Sequence, residues 1–249
     1  MKKVMKAVTA LMLMTAVVFA VGCTKSDESN NGGDNNGGNN GGGNQSHHEY
    51  VDLGLPSGTL WATCNVGANA PEECGDYFAW GETSPKTTYN WSTYKWCNGG
   101  NKNKLTKYCT ESDYGDNGFV DNLTRLQPED DAATANWGSD WRMPTRAEWE
   151  ELSDNTNKLW TIQNGVYGSQ YTATNGKSIF LPAAGYYCEN EVFKNQGANS
   201  RGYYGTNSLN SGEVNLSWTF FSEFHYDGFY CYYFERNLGR SVRPVRSAK

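Results

Sequence analysis

Cysteine and histidine are the side chains of this sequence that could act as nucleophile and base. Cysteine stands at seven positions, and the region after residue 48 holds one histidine, His225. The sequence gives His225 no nucleophile partner that would indicate a triad, and no Cys/His cluster has the spacing of zinc ligands. Carboxylates are plentiful, but no two of them can be placed as an acid–base pair. The residues therefore predict no catalytic residue, no metal site and no cofactor.

Cys23 is the cysteine with the most informative surroundings. Three lysines and an apolar run, Ala7–Val21, precede it, which predicts a signal peptide over residues 1–22 and not a spanning helix. The run Ala20-Val21-Gly22-Cys23 resembles the lipobox of bacterial lipoproteins, in which the cysteine is acylated. The resemblance implies lipidation of Cys23 and a stable anchor in a membrane.

Residues 23–48 are predicted to form a disordered tether. From Asn30 to Asn44, 14 of 15 residues are Asn or Gly, and such a segment cannot bury a core. The tether would span roughly 28 Å as a Gly-rich coil. Asp27 and Glu28, close behind the cysteine, are similar to the export signal of Bacteroidetes surface lipoproteins. That resemblance implies an outer-membrane location with the protein exposed at the cell surface.

The remaining residues, 49–249, have the length of one domain. Removal of the signal peptide leaves 18 basic and 27 acidic residues, a net charge of −9. This charge argues against nucleic acid or anionic lipid headgroups as partners. Nine Trp, 16 Tyr and 10 Phe occur with few long aliphatic runs. Aromatic residues must therefore carry the core, and some of them are expected at the surface.

Six cysteines are left when Cys23 is assigned to lipid, and an exported domain permits disulfides between them. Cys97 and Cys109 bracket a short polar segment and are the predicted pair. Cys64 and Cys74 are the alternative pair. Cys188 and Cys231 are instead expected to be small buried apolar side chains.

Two helices are predicted from start and stop signals. Pro128 at a first helical position is followed by three acidic residues, and Gly138 can end that helix. The second helix begins at Thr145, with Glu148 three residues later as a capping box. Strands are predicted at Tyr50–Leu53, Leu60–Thr63, Asp76–Trp80, Trp160–Ile162, Ser178–Leu181, Trp218–Phe224, Cys231–Phe234 and Arg240–Val245. Long ordered loops with aromatic anchors are expected over residues 82–121. The fold class is therefore α+β, with two helices and a small, mainly antiparallel sheet.

Several segments resemble known families. Trp141–Glu150 resembles a segment of formylglycine-generating-enzyme-like domains. Four others are similar to the Fibrobacter succinogenes major paralogous domain of Bacteroidetes surface proteins: Tyr50–Ala62, Tyr77–Glu82, Phe180–Tyr186 and Gly239–Val245. Both resemblances imply a C-type-lectin-like fold, in which strands from the two termini meet in one small sheet. Pairing of Tyr50–Leu53 with Arg240–Val245 is expected from this picture.

The resemblance to formylglycine-generating enzymes raises an alternative function, which the cysteines do not support. Those enzymes use two cysteines near the closing strand. Here Cys231 is the one cysteine near the end of the chain, and Cys188 lies 43 residues before it without the surrounding pattern. We therefore expect a protein that is not an enzyme.

An oxygen-rich loop is a candidate site for a bound calcium ion. Residues 113–122 contain Asp113, Asp116 and Asp121 around glycine, as calcium loops often do. The EF-hand pattern fails, since the twelfth position from Asp113 is Thr124 and not Glu. A solvated loop stabilised by Asx turns is the favoured interpretation.

Aromatic residues are densest near the end of the chain, where residues 218–234 include ten of them. Alternation places some of these side chains in the core, but neighbouring aromatics must point to opposite faces. Two interpretations stay open: a core role for all of them, or an outward aromatic face that binds a ligand. The ligand-binding candidates are Tyr203, Tyr204, Asn207, Asn210, Trp218, Phe221, Glu223, His225, Asp227, Phe229, Tyr230, Tyr232, Tyr233 and Glu235.

The leading functional hypothesis is a surface lipoprotein whose lectin-like domain binds an extracellular glycan or protein. Three alternatives remain. The segment 203–238 resembles, in composition and position, the variable region of proteins that retroelements diversify. The domain could also be a formylglycine-generating-type enzyme, or a subunit of a surface appendage.

Overall fold

Residues 48–193, 201–223 and 231–248 are described by the computed structural model. The predicted signal peptide, the lipidation site Cys23 and nearly all of the predicted tether lie outside the described residues. Within the described residues, no helix has the length and apolar character needed to cross a membrane.

The domain contains two α-helices and thirteen strands in the described residues. The helices are α1 (Ala132–Trp137) and α2 (Arg146–Asp154). The strands are β1 (Tyr50–Asp52), β2 (Thr59–Ala62), β3 (Tyr77–Phe78), β4 (Thr156–Gln163), β5 (Val166–Ala173), β6 (Ser178–Pro182), β7 (Tyr186–Cys188), β8 (Glu191–Phe193), β9 (Arg201–Leu209), β10 (Leu216–Glu223), β11 (Cys231–Glu235), β12 (Arg240–Ser241) and β13 (Val245–Ser247).

The architecture is α+β with mostly antiparallel sheets, as the sequence predicts. One three-stranded sheet has the order β1-β2-β13, and a second has the order β4-β5-β6. A five-stranded sheet has the order β11-β10-β9-β12-β3, with β9 and β12 parallel and the other pairs antiparallel. Strands β7 and β8 form a separate hairpin.

The two ends of the domain meet in the β1-β2-β13 sheet, but the predicted pairing of its strands is wrong. Strand β2 lies between the other two, so Trp61 faces Val51 on one side and Val245 on the other. The tight turn after β1, in which the Gly58 N–H donates to the Leu55 carbonyl (2.9 Å), returns the chain beside β1. The nearest neighbour of the first strand is therefore the second strand and not the last.

Both predicted helices are present, and their ends follow the predicted signals. Thr145 caps α2 and exchanges hydrogen bonds with Glu148 in a capping box. Gly138 ends α1 at a positive φ of 93°. The prediction differs at Pro128, which begins a separate 3₁₀ turn, Pro128–Asp130. The α-helix proper begins after Asp131, because the Asp131 carboxylate accepts the backbone N–H groups of Ala133 and Thr134.

Helix α2 packs its apolar face on the sheets. The Trp149 ring stacks on Phe220 of β10 with centroids 4.3 Å apart, and it contacts Trp61 of β2 at 4.6 Å. Tyr204 of β9 lies 5.6 Å away on the same helix face. These aromatic contacts join α2, the terminal sheet and the five-stranded sheet into one core.

Two buried arginines, Arg240 and Arg243, hold the last part of the chain against the loops. Arg243 donates to the side chain of Asn65 and to the carbonyls of Ala62 (3.1 Å) and Phe180 (2.9 Å). Arg240 donates to the Glu235 carbonyl at 2.6 Å. Within the described residues neither guanidinium has a carboxylate partner, and burial lowers the pKa of both groups. Their charge is balanced by carbonyl dipoles, which fixes the path of the closing strands.

The loop region before α1 is ordered by aromatic anchors. The segment 82–131 contains only 3₁₀ turns and isolated bridges. Tyr94 and Tyr108 are buried in it, and the Tyr94 hydroxyl donates to the Trp80 carbonyl at 2.7 Å. Long ordered loops are therefore present where the sequence predicts them.

His48 packs on α1. Its imidazole lies parallel to the Trp137 ring, with centroids 3.8 Å apart and an interplanar angle of 5°. The first described residue is therefore in contact with the helix α1.

Candidate ligand-binding surface

Strands β10 and β11 and the start of α2 bring four side chains together in a row, which we call the aromatic ladder: Arg146 of α2, Trp218 of β10, and Tyr233 and Tyr232 of β11. The Arg146 guanidinium carbon lies 4.2 Å from the Trp218 ring centroid. Trp218 is directly opposite Tyr233 in the strand register, and the two rings meet edge to face at 5.8 Å. Tyr233 in turn stacks on Tyr232 at 4.3 Å. A cation and three rings thus form one continuous surface.

The aromatic ladder is open to solvent although its supports are rigid. Tyr232 is 44% exposed, Trp218 and Tyr233 are half-buried, and Arg146 is exposed. Strand pairing fixes the three rings, and the capped start of α2 fixes the arginine. The Arg146 N–H also donates to Ser208 Oγ on β9 at 3.3 Å. Rings held in place at the surface lose little conformational entropy when they bind a partner.

Electrostatics at the aromatic ladder disfavour nucleophilic chemistry. The hydrogen bond with Tyr232 is the main cause that raises the pKa of Tyr233. On the same hairpin, burial raises the pKa of Cys231 to about 12, although Arg146 lowers it in part. Burial also raises the pKa of Cys188. Both thiols therefore stay protonated at neutral pH, and the thiolate is the reactive form.

Three predicted binding residues belong to the core, and their assignment to a surface is wrong. Tyr203, Tyr204 and Asn207 lie on β9 and are all buried. The Tyr204 hydroxyl donates to the Pro182 carbonyl at 2.6 Å, and burial raises its pKa. The Tyr203 ring packs on Tyr186 at 4.9 Å. The physical reason is that β9 is a central strand, flanked by β10 and β12 and covered on both faces.

The other predicted residues fall into three groups. Trp218, Tyr232 and Tyr233 come together in the aromatic ladder. Asn210 shapes the β9–β10 turn, where its Oδ1 accepts the Gly212 N–H (3.1 Å), and Glu235 lies half-buried opposite Leu216 at the end of the hairpin. The side chains of Phe221 and Glu223, and the whole of His225, Asp227, Phe229 and Tyr230, lie outside what the structure describes.

The predicted disulfide is absent from the structure. All six cysteines of the described residues are free. Cys97 Sγ donates to the Trp91 carbonyl and Cys109 Sγ to the Glu111 carbonyl, each at 3.1 Å. The two thiols thus point to different loop segments, and burial raises the pKa of each. The prediction of a Cys97–Cys109 bond is corrected on this geometry.

Two carboxylates of the oxygen-rich loop, Asp121 and Asp116, accept hydrogen bonds from neighbouring loop segments. Asp121 accepts the N–H groups of Tyr108 (2.7 Å), Cys109 (2.9 Å) and Leu123 (3.1 Å). Asp116 accepts from the side chain of Asn98 at 2.9 Å. Across the described ranges, no three His, Cys, Asp or Glu side chains come together as metal ligands.

Arg146 is the member of the aromatic ladder that the sequence reasoning missed. It occupies the first position of α2, directly after the Thr145 cap. A positive charge there is unfavourable, because the N-terminal end of a helix already carries positive potential. The presence of a basic residue at the first position of α2 could therefore have indicated that Arg146 has a role other than helix stability.

No protein-family model, curated protein or solved structure matches this chain. The coarse α+β class therefore rests on the secondary structure and sheet order themselves. The geometry of the aromatic ladder is the structural basis for a functional proposal.

Proposed function

We propose that this protein is a lipid-anchored module of the bacterial cell surface that binds an extracellular protein or glycan without catalysis. The binding surface in this proposal is the aromatic ladder of Arg146, Trp218, Tyr233 and Tyr232. The lipid on Cys23 would hold the module at the outer membrane. The domain would belong with the Fibrobacter succinogenes major paralogous domains.

Sheet order supports the lectin-like part of this proposal. The first and last strands lie in one small sheet, on either side of β2. A long ordered loop region and two helices surround the strands, with a five-stranded sheet beside them. The meeting of both ends of the domain in one small sheet agrees with what the sequence resemblance implies for a C-type-lectin-like domain.

The single observation that carries the binding function is the exposed Arg–Trp–Tyr–Tyr contact row. Arginine, tryptophan and tyrosine are the residue types in which binding energy concentrates at protein interfaces. The stacked rings also offer flat apolar faces of the kind that pack on sugar rings. The composition favours a protein ligand, and a glycan is the second candidate.

The state of the cysteines favours binding over enzymatic turnover. Cys188 and Cys231 are the pair that thiol chemistry would require, and the pKa of each is raised. Cys231 interacts with Arg146 and Glu150, whereas Cys188 interacts with Glu189 and Glu235. An oxidase of the formylglycine-generating type would need a reactive thiolate at one of them.

Burial also weakens the retroelement alternative. That idea treats Tyr203, Tyr204 and Asn207 as variable positions, and all three are buried in β9. Frequent substitution at Tyr204 would disturb its packing on Trp149 and its hydrogen bond to Pro182. Variation is better tolerated at exposed Tyr232.

Ligand arrays test the proposal. The full-length protein in detergent is applied to arrays of glycans and of extracellular proteins, and hits are measured by titration. We expect a ligand whose affinity falls at least tenfold in Tyr232→Ala. Tyr50→Ala is the matched control, since Tyr50 is 45% exposed but lies on β1. Equal binding by both variants would reject the aromatic ladder as the binding surface.

Fatty-acid labelling tests the anchor separately. Cells that express the wild type and Cys23→Ser are fed a palmitate analogue, and membrane and soluble fractions are compared. The wild type should carry the label and the variant should not. Unchanged membrane partitioning of an unlabelled variant would remove the anchor from the proposal.

A further inference from the structure

A cavity of about 200 Å³ lies where the loop that follows β2 meets the β4-β5-β6 sheet. The register of β5 and β6 puts Gln170, Ser178 and Phe180 on one face of that sheet, and all three line the cavity. Gln163, at the end of β4, lies on the same face and also lines it. Further lining residues are Val51 of β1 and two residues of the loop after β2, Thr63 and Pro71.

Hydrogen bonds hold the loop side of the cavity in place. Glu72 of this loop accepts one amide on each carboxylate oxygen, from Gln163 Nε2 (3.2 Å) and from Asn164 Nδ2 (2.6 Å). The Asn65 side chain donates to the Cys74 carbonyl at 2.9 Å, which joins the two ends of the loop. The cavity is therefore formed before any ligand enters, and a ligand needs little rearrangement to bind.

The sheet side of the cavity is also fixed, but it keeps polar groups available. The Phe180 ring lies against Gly168 of β5, where an added Cβ atom would stand 2.5 Å from the ring. Gln170 Nε2 donates to Ser178 Oγ at 3.0 Å. That bond uses one amide hydrogen and one lone pair, so the Gln170 Oε1 atom and the Ser178 hydroxyl hydrogen can still bind a ligand.

The lining favours a neutral ligand. Among the described residues that line the cavity, none is charged. Glu72, which holds Gln163, is ionised at neutral pH, since the hydrogen bond from Asn164 is the main cause that lowers its pKa. A phosphate, carboxylate or ammonium group would lose its hydration here without a charged partner in the lining. Amide and hydroxyl groups both donate and accept hydrogen bonds, as the hydroxyl groups of a sugar do.

An apolar side chain lies beside these polar groups. Leu159 of β4 is directly opposite Gln170 on the same face of the sheet, and it is 61% exposed. Residues opposite each other in this way have Cβ atoms roughly 4.5–5.5 Å apart. Leu159 therefore offers apolar surface next to the amide of Gln170. A sugar ring needs both kinds of contact, because it has hydroxyl groups at its edge and C–H groups on its faces.

We infer that this cavity binds one neutral sugar ring, either as a free monosaccharide or as the end residue of a glycan chain. Its volume limits the ligand to about one ring, because it is below the roughly 300–1,000 Å³ of sites for drug-sized ligands. Gln163, Gln170 and Ser178 bind the hydroxyl groups of the ring, and Leu159 packs on its C–H groups. The aromatic ladder lies on other elements, β10, β11 and α2, so this inference does not depend on the proposed function.

Saturation-transfer NMR tests the inference. Full-length protein, in a detergent without a sugar head group, is titrated with the methyl glycosides of glucose, galactose, mannose and N-acetylglucosamine. We expect at least one of them to bind, with affinity at least tenfold lower in Gln170→Ala and no measurable binding in Ser178→Phe, which fills the cavity. Gln127→Ala is the matched control, because Gln127 is also a half-buried glutamine but does not line the cavity, and its affinity should be unchanged.

Three outcomes would overturn the inference. The first is that none of the four glycosides binds to the wild type. The second is unchanged affinity in both cavity variants, whose melting temperatures within a few degrees of the wild type show that the fold is intact. The third needs no variant: methyl glucuronoside, which is anionic, binds as tightly as the neutral glycosides.

Further comparisons identify the source of the sugar and separate this site from the aromatic ladder. Tighter binding of an oligosaccharide that ends in the same sugar identifies a glycan chain as the ligand, and equal binding identifies the free sugar. Tyr232→Ala should bind the methyl glycoside as the wild type does. Ser178→Phe should keep its affinity for the ligand found on the arrays. Failure of one site would therefore leave the test of the other unaffected.

Discussion

Two clusters of arginine on aromatic rings differ in burial, and their roles differ accordingly. The Arg236 guanidinium is fully buried and lies 4.9 Å from the Trp80 ring and 5.5 Å from the Tyr94 ring. The Arg146 guanidinium lies 4.2 Å from Trp218 at the surface. The contact type is the same, but one cluster is sealed inside the protein and the other can meet a partner.

Hydrogen bonding explains what each cluster does. Arg236 donates to the Tyr94 hydroxyl (3.0 Å) and to three carbonyls, those of Tyr108 (2.9 Å), Val214 (2.8 Å) and Lys107 (3.0 Å). It therefore joins the loop region to the turn between β9 and β10. The aromatic ladder is held by ring contacts, and Tyr232 is its most exposed ring. A satisfied buried arginine fixes a fold, whereas the exposed arginine on a ring is the one that the proposed function assigns to recognition.

The largest expected effect is the loss of Arg236. Arg236→Met should destabilise the protein by more than about 3 kcal/mol, because two buried carbonyls and one partly buried carbonyl lose their donors. Arg236→Lys should recover only part of this loss, since an ammonium group cannot reach three divergent acceptors. Urea unfolding of the full-length protein measures both changes. A decrease of less than about 1 kcal/mol in the unfolding free energy of Arg236→Met would show that the Arg236 cluster does not stabilise the fold.

The second effect is on binding and leaves the fold intact. Trp218→Ala should weaken binding of the ligand found on the arrays by about 2 kcal/mol, roughly 30-fold in affinity, because the change removes the central ring of the aromatic ladder. The melting temperature of Trp218→Ala should change little compared with that of the Arg236 variants. Tyr50→Ala again serves as the control with unchanged affinity. If Trp218→Ala unfolds the domain, the row of rings is core and the contrast fails.

Local signals in the sequence predict the helices well. Thr145 and Glu148 form the expected capping box, and Gly138 adopts the positive φ that ends α1. These features depend on residues within four positions of each other, so their chemistry is readable without the fold. Asp131 shows the limit of such local signals. The sequence alone does not distinguish an N-cap residue at Asp131 from a residue inside a helix that begins at Pro128.

Long-range features could not be predicted. Strand β9 was missed, since a central strand buried on both faces lacks the alternation that identifies a strand. For the same reason Tyr203 and Tyr204 looked like surface residues. Arg236 is charged, and only the tertiary fold brings carbonyls from residues 107, 108 and 214 around it. The aromatic ladder was predicted in part, because Arg146 is 72 positions away from Trp218.

An acid-dependent effect acts on α2, the helix that carries Arg146. Arg142 donates to Glu148 Oε2 at 2.7 Å, and Glu148 caps the helix that carries Arg146. Burial alone would raise the pKa of Glu148, but hydrogen bonds from Arg142 and Thr145 outweigh it and lower the pKa below its usual value. The ionised carboxylate therefore stabilises the fold above about pH 4.5, and this contribution is lost as the pH falls through the lowered pKa.

Glu148→Gln should remove that contribution. At pH 7 the variant should be less stable than the wild type by about 1–2 kcal/mol. The difference should shrink as the pH falls through the lowered pKa of Glu148, where the wild-type carboxylate becomes protonated. Unfolding free energies measured from pH 3 to 7 test this. A difference that does not change with pH would show that packing, and not charge, explains the loss.

The smallest expected effect isolates the arginine of the aromatic ladder. Arg146→Ala should weaken ligand binding by about 0.5–1 kcal/mol, a two- to fivefold change, because an exposed cation–π contact contributes little by itself. Arg146→Lys should keep part of the affinity through its charge. Helix stability should rise slightly in Arg146→Ala, since the change removes a positive charge from the N-terminal end of α2. Affinity and stability therefore move in opposite directions at this position, which a residue with a purely structural role would not show. Parallel loss of both in Arg146→Ala would place Arg146 with Arg236, as part of the fold.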